Sequence, residues 1–180
     1  ELLKKHGIIT FGSFIIGFPG ETEETVQETI DFIEKSQIDF YRTQLWYLEP
    51  ITPIWNQKDK YGIEGHSFEW KHSTMDSKRA ADIIDRNFME IKKSIWLPQY
   101  NFYFDNLLHL LHRGWDIDKI KEFIKAFNLG VRDKILNPNV EEVSFDTIMK
   151  MKNIFSKRGR DNNNVSIDEK DLENEITFNF

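Results

Sequence analysis

The sequence predicts an α/β fold: a βαβ unit over residues 1–55, then a mostly helical extension over residues 56–180 with a possible final strand. An α+β arrangement is the alternative. Three observations carry this. The run Phe14-Ile15-Ile16 is apolar and β-branched, as a buried strand requires, and it breaks at Gly17 and Pro19-Gly20, strong turn punctuation. Val26, Ile30 and Ile33 then recur at i, i+4 and i+7, the stripe of an amphipathic helix. A second extended run, Phe40 to Tyr47, follows, so a helical crossover joins two strands expected to be parallel neighbours or near-neighbours.

Taken in order, Leu2 to Lys5 reads as the tail of a helix capped at Gly7, where glycine is favoured just past a helix end. The first strand spans Ile8 to Ile16. The crossover helix spans Glu23 to Ser36, with Thr22 as its N-cap. From Pro50 to Thr74 the pattern is irregular, but Trp55, Tyr61, Phe68 and Trp70 argue against disorder. Asp76 to Ile95 is helical by the spacing of Ala80, Ile83, Ile84, Phe88 and Ile91, with Asp76 or Thr74 as cap and Leu97-Pro98 as terminator. Phe102 to His112 forms an apolar helix stopped by Gly114. Asp116 to Asn128 forms another, with Asp116 as N-cap and Gly130 as stop. Phe145 to Phe155 gives one more helix. The polar stretch Lys157 to Asn164 reads as a linker or disordered loop, and Glu175 to Phe180 alternates like a half-buried strand.

Composition bounds the function. A chain of 180 residues with fifteen Phe, five Trp and five Tyr has ample core material for one domain. Its formal charge of −6 disfavours nucleic acid and anionic membranes as partners. No run approaches the roughly 20 apolar residues of a membrane span, and no signal peptide opens the chain, so a soluble cytoplasmic protein acting on a small molecule is expected. A glycine turn before a helix suggests bound phosphate, but Glu21, Glu23 and Glu24 crowd that helix start and would repel a dianion. A neutral or cationic ligand suits it better. His109 and His112 share a helix face without a third ligand nearby, so no metal site is assigned to them.

The segment Ser13-Phe14-Ile15-Ile16-Gly17-Phe18-Pro19-Gly20-Glu21-Thr22, preceded by Leu2-Leu3-Lys4-Lys5-His6-Gly7-Ile8, resembles the fifth-strand segment of radical S-adenosylmethionine (SAM) enzymes. It is especially similar to the cobalamin-dependent branch containing anaerobic magnesium-protoporphyrin cyclases and phosphinate P-methyltransferases. The family pattern is G-x-I-x-G-x-P-G-E-T, and Ser13 stands where that family usually has glycine. Trp46-Tyr47-Leu48-Glu49-Pro50-Ile51-Thr52-Pro53-Ile54-Trp55 resembles the sixth-strand segment, with Ile51 replacing the glycine of its PGTP ending. Gly65 to Met75 resembles a G-x-x-W-x-H-x-T-M stretch of the same branch.

The resemblance implies the last βαβ unit of a partial (β/α) barrel, with SAM at the carboxyl ends of the strands. Ile15 would face the adenine with Gly17 giving it room. Pro19, Glu21, Leu45 and Tyr47 would complete the cofactor side, and Trp70, His72 and Thr74 the substrate side. Against the last group stands the plainer reading that Trp70 packs and His72 lies on the surface ahead of a helix. The implied chemistry is reductive cleavage of SAM to a 5′-deoxyadenosyl radical, leading to oxidation or methyl transfer. Its [4Fe-4S] cluster needs three thiolates, and this chain has no cysteine. With the opening at Glu1, that suggests a segment of a longer enzyme, catalytically inert alone, whose cluster and cobalamin domain lie upstream. The unprotected strand Ile8 to Ile16 should then self-associate, or be covered by Ile176 to Phe180. A stand-alone helical interaction module is the competing reading.

Overall fold

The structure, a computed structural model, describes residues 2–98, 104–140 and 142–156. After a short helix, α1 (Leu2–Lys5), its centre is a three-stranded parallel sheet of β1 (Phe11–Ile16), β2 (Phe40–Leu45) and β5 (Ile95–Trp96), in that order. The chain is thus mixed helix and strand with a small parallel sheet. Phe11 pairs with Phe40 and Ile16 with Leu45. The start of this register is stapled by side chains: Thr10 donates N–H and Oγ1–H to Asp39 Oδ2 at 2.9 and 2.8 Å, and Asp39 N–H returns a bond to Thr10 Oγ1 at 2.9 Å. Lys121 adds a 2.7 Å ion pair to Asp39 Oδ1. Burial works to raise the Asp39 carboxyl, but Lys121 and Thr10 outweigh it and hold it below the usual range. The strand begins at Phe11 rather than at Ile8, and Thr10 just before it gives its C=O to Phe40 N–H (3.0 Å) but its own N–H to the Asp39 side chain.

The crossover helix α2 (Glu23–Ser36) has the expected bounds and cap. Thr22 Oγ1 accepts the N–H of Thr25 and Thr25 Oγ1 accepts that of Thr22, which satisfies two orphan donors of the first turn. Val26, Ile30 and Ile33 are all buried against the sheet face carrying Ile16 and Tyr41.

Between the second and third sheet strands the chain is ordered. A 3-10 turn (Pro53–Gln57) and α3 (Lys58–Tyr61) lead into a hairpin of β3 (Glu64–His66) and β4 (Glu69–Lys71). The helix α4 (Ser77–Glu90) follows, capped by Asp76, and Arg79 ties it to Glu23 of α2 at 2.6 Å. It stops short of the expected Ile95. The chain turns extended at Ile91 (φ −66°, ψ 124°), and Ile95-Trp96 joins β2 opposite Phe40 and Tyr41. The β-branched Ile95 buries more apolar surface against Phe40 and Leu97 than a frayed last turn ahead of Pro98 would.

Two helices, α5 (Phe104–His112) and α6 (Ile117–Leu136), and the turn between them place Leu107, Trp115, Ile120 and Ile124 on the opposite sheet face, over Phe40 and Ile95. Asp116 caps α6 as expected. Gly130 does not stop it. The glycine lies inside the helix, where a Cβ would meet Val143 Cγ1 at 3.1 Å and Thr147 Cγ2 at 3.3 Å, so it serves the close approach of α7 (Phe145–Ser156). The expected linker at Lys157–Asn164 and the final strand Ile176–Phe180 lie outside the described residues. Among the described residues, no helix is long and apolar enough to cross a membrane.

Candidate ligand-binding site

The site grows from the turn at the carboxyl end of β1. Phe18 to Glu21 closes a turn through Glu21 N–H to Phe18 C=O (2.9 Å), with proline second and Gly20 third at φ +93°. That is the pattern of a type II turn, which demands positive φ at its third residue. Glu21 folds back so that Oε2 accepts the Gly17 N–H. Burial pushes the Glu21 carboxyl up, opposed by the N–H groups of Gly17 and Phe18.

The hairpin then locks Gly17. Glu69-Trp70-Lys71-His72 alternates outward and inward, with Trp70 3% and His72 8% exposed. Trp70 donates Nε1–H to Trp46 C=O at 2.8 Å, which fixes the indole edge against Gly17. Gly17 sits at φ +90°, and a Cβ there would lie 2.4 Å from Trp70 Cη2. The space that the sequence reading keeps free for a ligand beside Gly17 is therefore filled by Trp70. His72 stacks on Trp70 (6° between planes) and its Nε2 lies 3.1 Å from Gly17 C=O. The carbonyl can only accept, so Nε2 carries the proton. Nδ1 then accepts from Thr74 Oγ1–H (3.1 Å), while burial lowers the His72 pKa. The surface placement weighed for His72 does not occur. Thr74 itself is exposed.

Clamped on N–H, C=O and Cα, the turn displays side chains rather than backbone groups. Ile15 is 54%, Phe18 47% and Tyr47 44% exposed, all at the carboxyl ends of β1 and β2. Phe18 rests edge-on against Trp46 (5.7 Å), and Tyr47 against Phe68 (4.8 Å). Leu45 packs toward the core and Pro19 is buried, so those two shape the rim from beneath. The pleat puts Ser13 beside Ile15, opposite Arg42 and Gln44 of β2. Arg42 Nε–H donates to Ser13 Oγ, whose hydroxyl donates to Gln44 Oε1, both at 3.3 Å. The sequence reading missed this polar row, along with Phe18 and Trp46. Parallel register was the signal that could have found the row. Among the described residues, no three His, Cys, Asp or Glu side chains come together to hold a metal ion.

The apolar rim and its polar row lie at the carboxyl ends of parallel strands, the end at which open α/β sheets generally take their ligands. No family model and no solved structure matches the chain. Partial matches are found to an uncharacterized methyltransferase of Pyrococcus horikoshii, 39% identical over 77 residues (41% of this chain, 16% of the relative). A tRNA-2-methylthio-N(6)-dimethylallyladenosine synthase of Buchnera aphidicola is 35% identical over 63 residues (35% and 14%). A bacteriochlorophyllide d C-12(1)-methyltransferase of Chlorobaculum tepidum is 29% identical over 103 residues (52% and 21%). The matches thus span about a fifth or less of these relatives. They support a methyltransferase-like or radical-SAM-related function and are not specific to one enzyme.

Proposed function

We propose that this chain is the part of a radical SAM enzyme, a methyltransferase or oxidoreductase, that presents the adenine-binding rim and part of the substrate surface. The observation that carries the reading is Ile15, exposed beside a turn whose Gly17 N–H and C=O are already engaged. An apolar side chain held that rigidly at a strand's carboxyl end suits the flat face of a purine, and the acidic helix start favours a cationic sulfonium over a phosphate. Thr74, exposed at the clamp's edge, stays on the substrate side, with Trp70 and His72 supporting it from below.

When bound, SAM supplies the methyl group or the radical precursor, and these residues position it. The residues present do not fit a [4Fe-4S] cluster: with no cysteine in 180 residues, its thiolates must come from elsewhere in the protein. Cobalamin enters only through the branch that the motifs resemble.

Isothermal titration with SAM tests the reading. Saturable binding that is lost in Ile15→Asp, with the melting temperature unchanged, is expected because that side chain is exposed. Equal affinity in the variant would remove Ile15 from the site.

A further inference from the structure

Away from that rim, a cleft of about 220 Å³ opens between β5, the end of α4 and α6, lined in part by Tyr41, Ser94, Lys125, Asn128 and Arg132. At roughly 30 Å³ per water it holds about seven waters' volume, enough for a small ion with part of its hydration. Its polar groups are unusually short of partners. Tyr41 is 1% exposed, and its hydroxyl has no hydrogen-bond partner among the described residues. Asn128 Nδ2–H donates to Trp96 C=O, which fixes the amide orientation and leaves the buried Oδ1 without a donor. Arg132 Nη2 donates to Phe88 and Ile91 C=O at the end of α4, while its buried Nε–H has no acceptor. Burial pushes the Tyr41 pKa up, so the hydroxyl stays a donor.

The charge balance is positive on a chain whose total is −6. Lys92, Lys125 and Arg132 line the cleft with no carboxylate among the lining residues. Glu34 reaches the same corner, where its Oε1 accepts the N–H groups of Lys92 and Lys93. Lys92 Nζ and Arg132 Nη2 also serve carbonyls at the end of α4, whose dipole counts as about half a negative charge. Three cations still exceed Glu34 and that half charge. Two orphan donors, one orphan acceptor and a positive excess define the ligand's chemistry.

We propose that this cleft binds a tetrahedral oxyanion that still carries a proton, hydrogen phosphate being the simplest. Its oxygens would accept from Tyr41 O–H and, once the buried ends of the Arg132 and Asn128 side chains turn toward the cleft, from Arg132 Nε–H, and its own O–H would then donate to Asn128 Oδ1. Lys125, whose ammonium has no partner among the described residues, would balance its charge.

The test is a nuclear magnetic resonance titration of the 15N-labelled chain at neutral pH, with phosphate and sulfate at matched ionic strength. Sulfate has the same shape but no proton to give Asn128. Phosphate is expected to produce saturable shifts at Ser94–Leu97 and the Asn128 side-chain amide, with sulfate about tenfold weaker. Indistinguishable responses, or shifts that never saturate, would reduce the cleft to general charge screening and overturn the proposal. Tyr41→Phe and the exposed Lys125→Gln should each weaken phosphate several-fold. Unchanged phosphate affinity in folded Lys125→Gln would also overturn it.

Discussion

His72 Nε2 lies 3.1 Å from the carbonyl oxygen of Gly17, 55 residues earlier in the chain. The contact joins the hairpin's exit to the turn that ends β1, while burial and the Thr74 hydroxyl that donates to Nδ1 favour the neutral ring. Burial depresses the His72 pKa below the ordinary imidazole range, the Gly17 bond opposing it in part. On acidification the unfolded chain therefore takes up this proton before the folded one. Stability from His72 is complete above about pH 6.5 and is lost as pH falls through that value toward the lower folded pKa. Urea midpoints measured from neutral to mildly acidic pH should fall. His72→Gln should be less stable at neutral pH yet lose less on acidification. Equal pH slopes in the two proteins would show that His72 is not the group responsible.

Gly17 and Gly20 separate two costs of adding a methyl group. Both have positive φ, but only Gly17 has an indole where the Cβ would go. Gly20→Ala should cost about 1–2 kcal/mol from backbone strain. Gly17→Ala should cost about 3 kcal/mol or more, since overpacking against Trp70 adds about 1–3 kcal/mol. Denaturant unfolding of both variants is the check, and equal costs would mean that Trp70 yields freely.

Trp70→Phe should be destabilising by about 2–4 kcal/mol. It shrinks a core side chain and leaves the buried Trp46 carbonyl without its 2.8 Å donor. Calorimetric melting would read this directly, and a loss below about 1 kcal/mol would mean that the carbonyl finds another donor.

Local chemistry made much of this fold readable. Thr22, Asp76 and Asp116 each cap the helix expected of them, because a cap depends on only three or four neighbouring residues. The parallel pairing of β1 with β2 followed from a crossover helix of known length. What escaped depends on distant partners. Ile95-Trp96 is a strand because Phe40 and Tyr41 are there to pair with it. Gly130 stays helical because α7 approaches it. Trp70 and His72 stood out in the sequence, but their target, the backbone of Gly17, became visible only once the hairpin was folded across it.

We further propose self-association through β1. Among the described residues it pairs only with β2, and its run Phe11–Ile16 contains neither lysine nor proline to protect the free edge. Size-exclusion chromatography with light scattering should show a dimer or larger species. A monodisperse monomer at high micromolar concentration would mean that the edge is already covered.

The role proposed for the clamped turn is to hold an adenine-binding rim. Mapping SAM onto the amide spectrum of the labelled chain tests it most directly. Saturable shifts concentrated at Ile15, Gly17, Phe18 and Tyr47 are expected, reproduced by 5′-deoxyadenosine but not by methionine. Shifts elsewhere, or none at those four residues at saturating SAM, would contradict it.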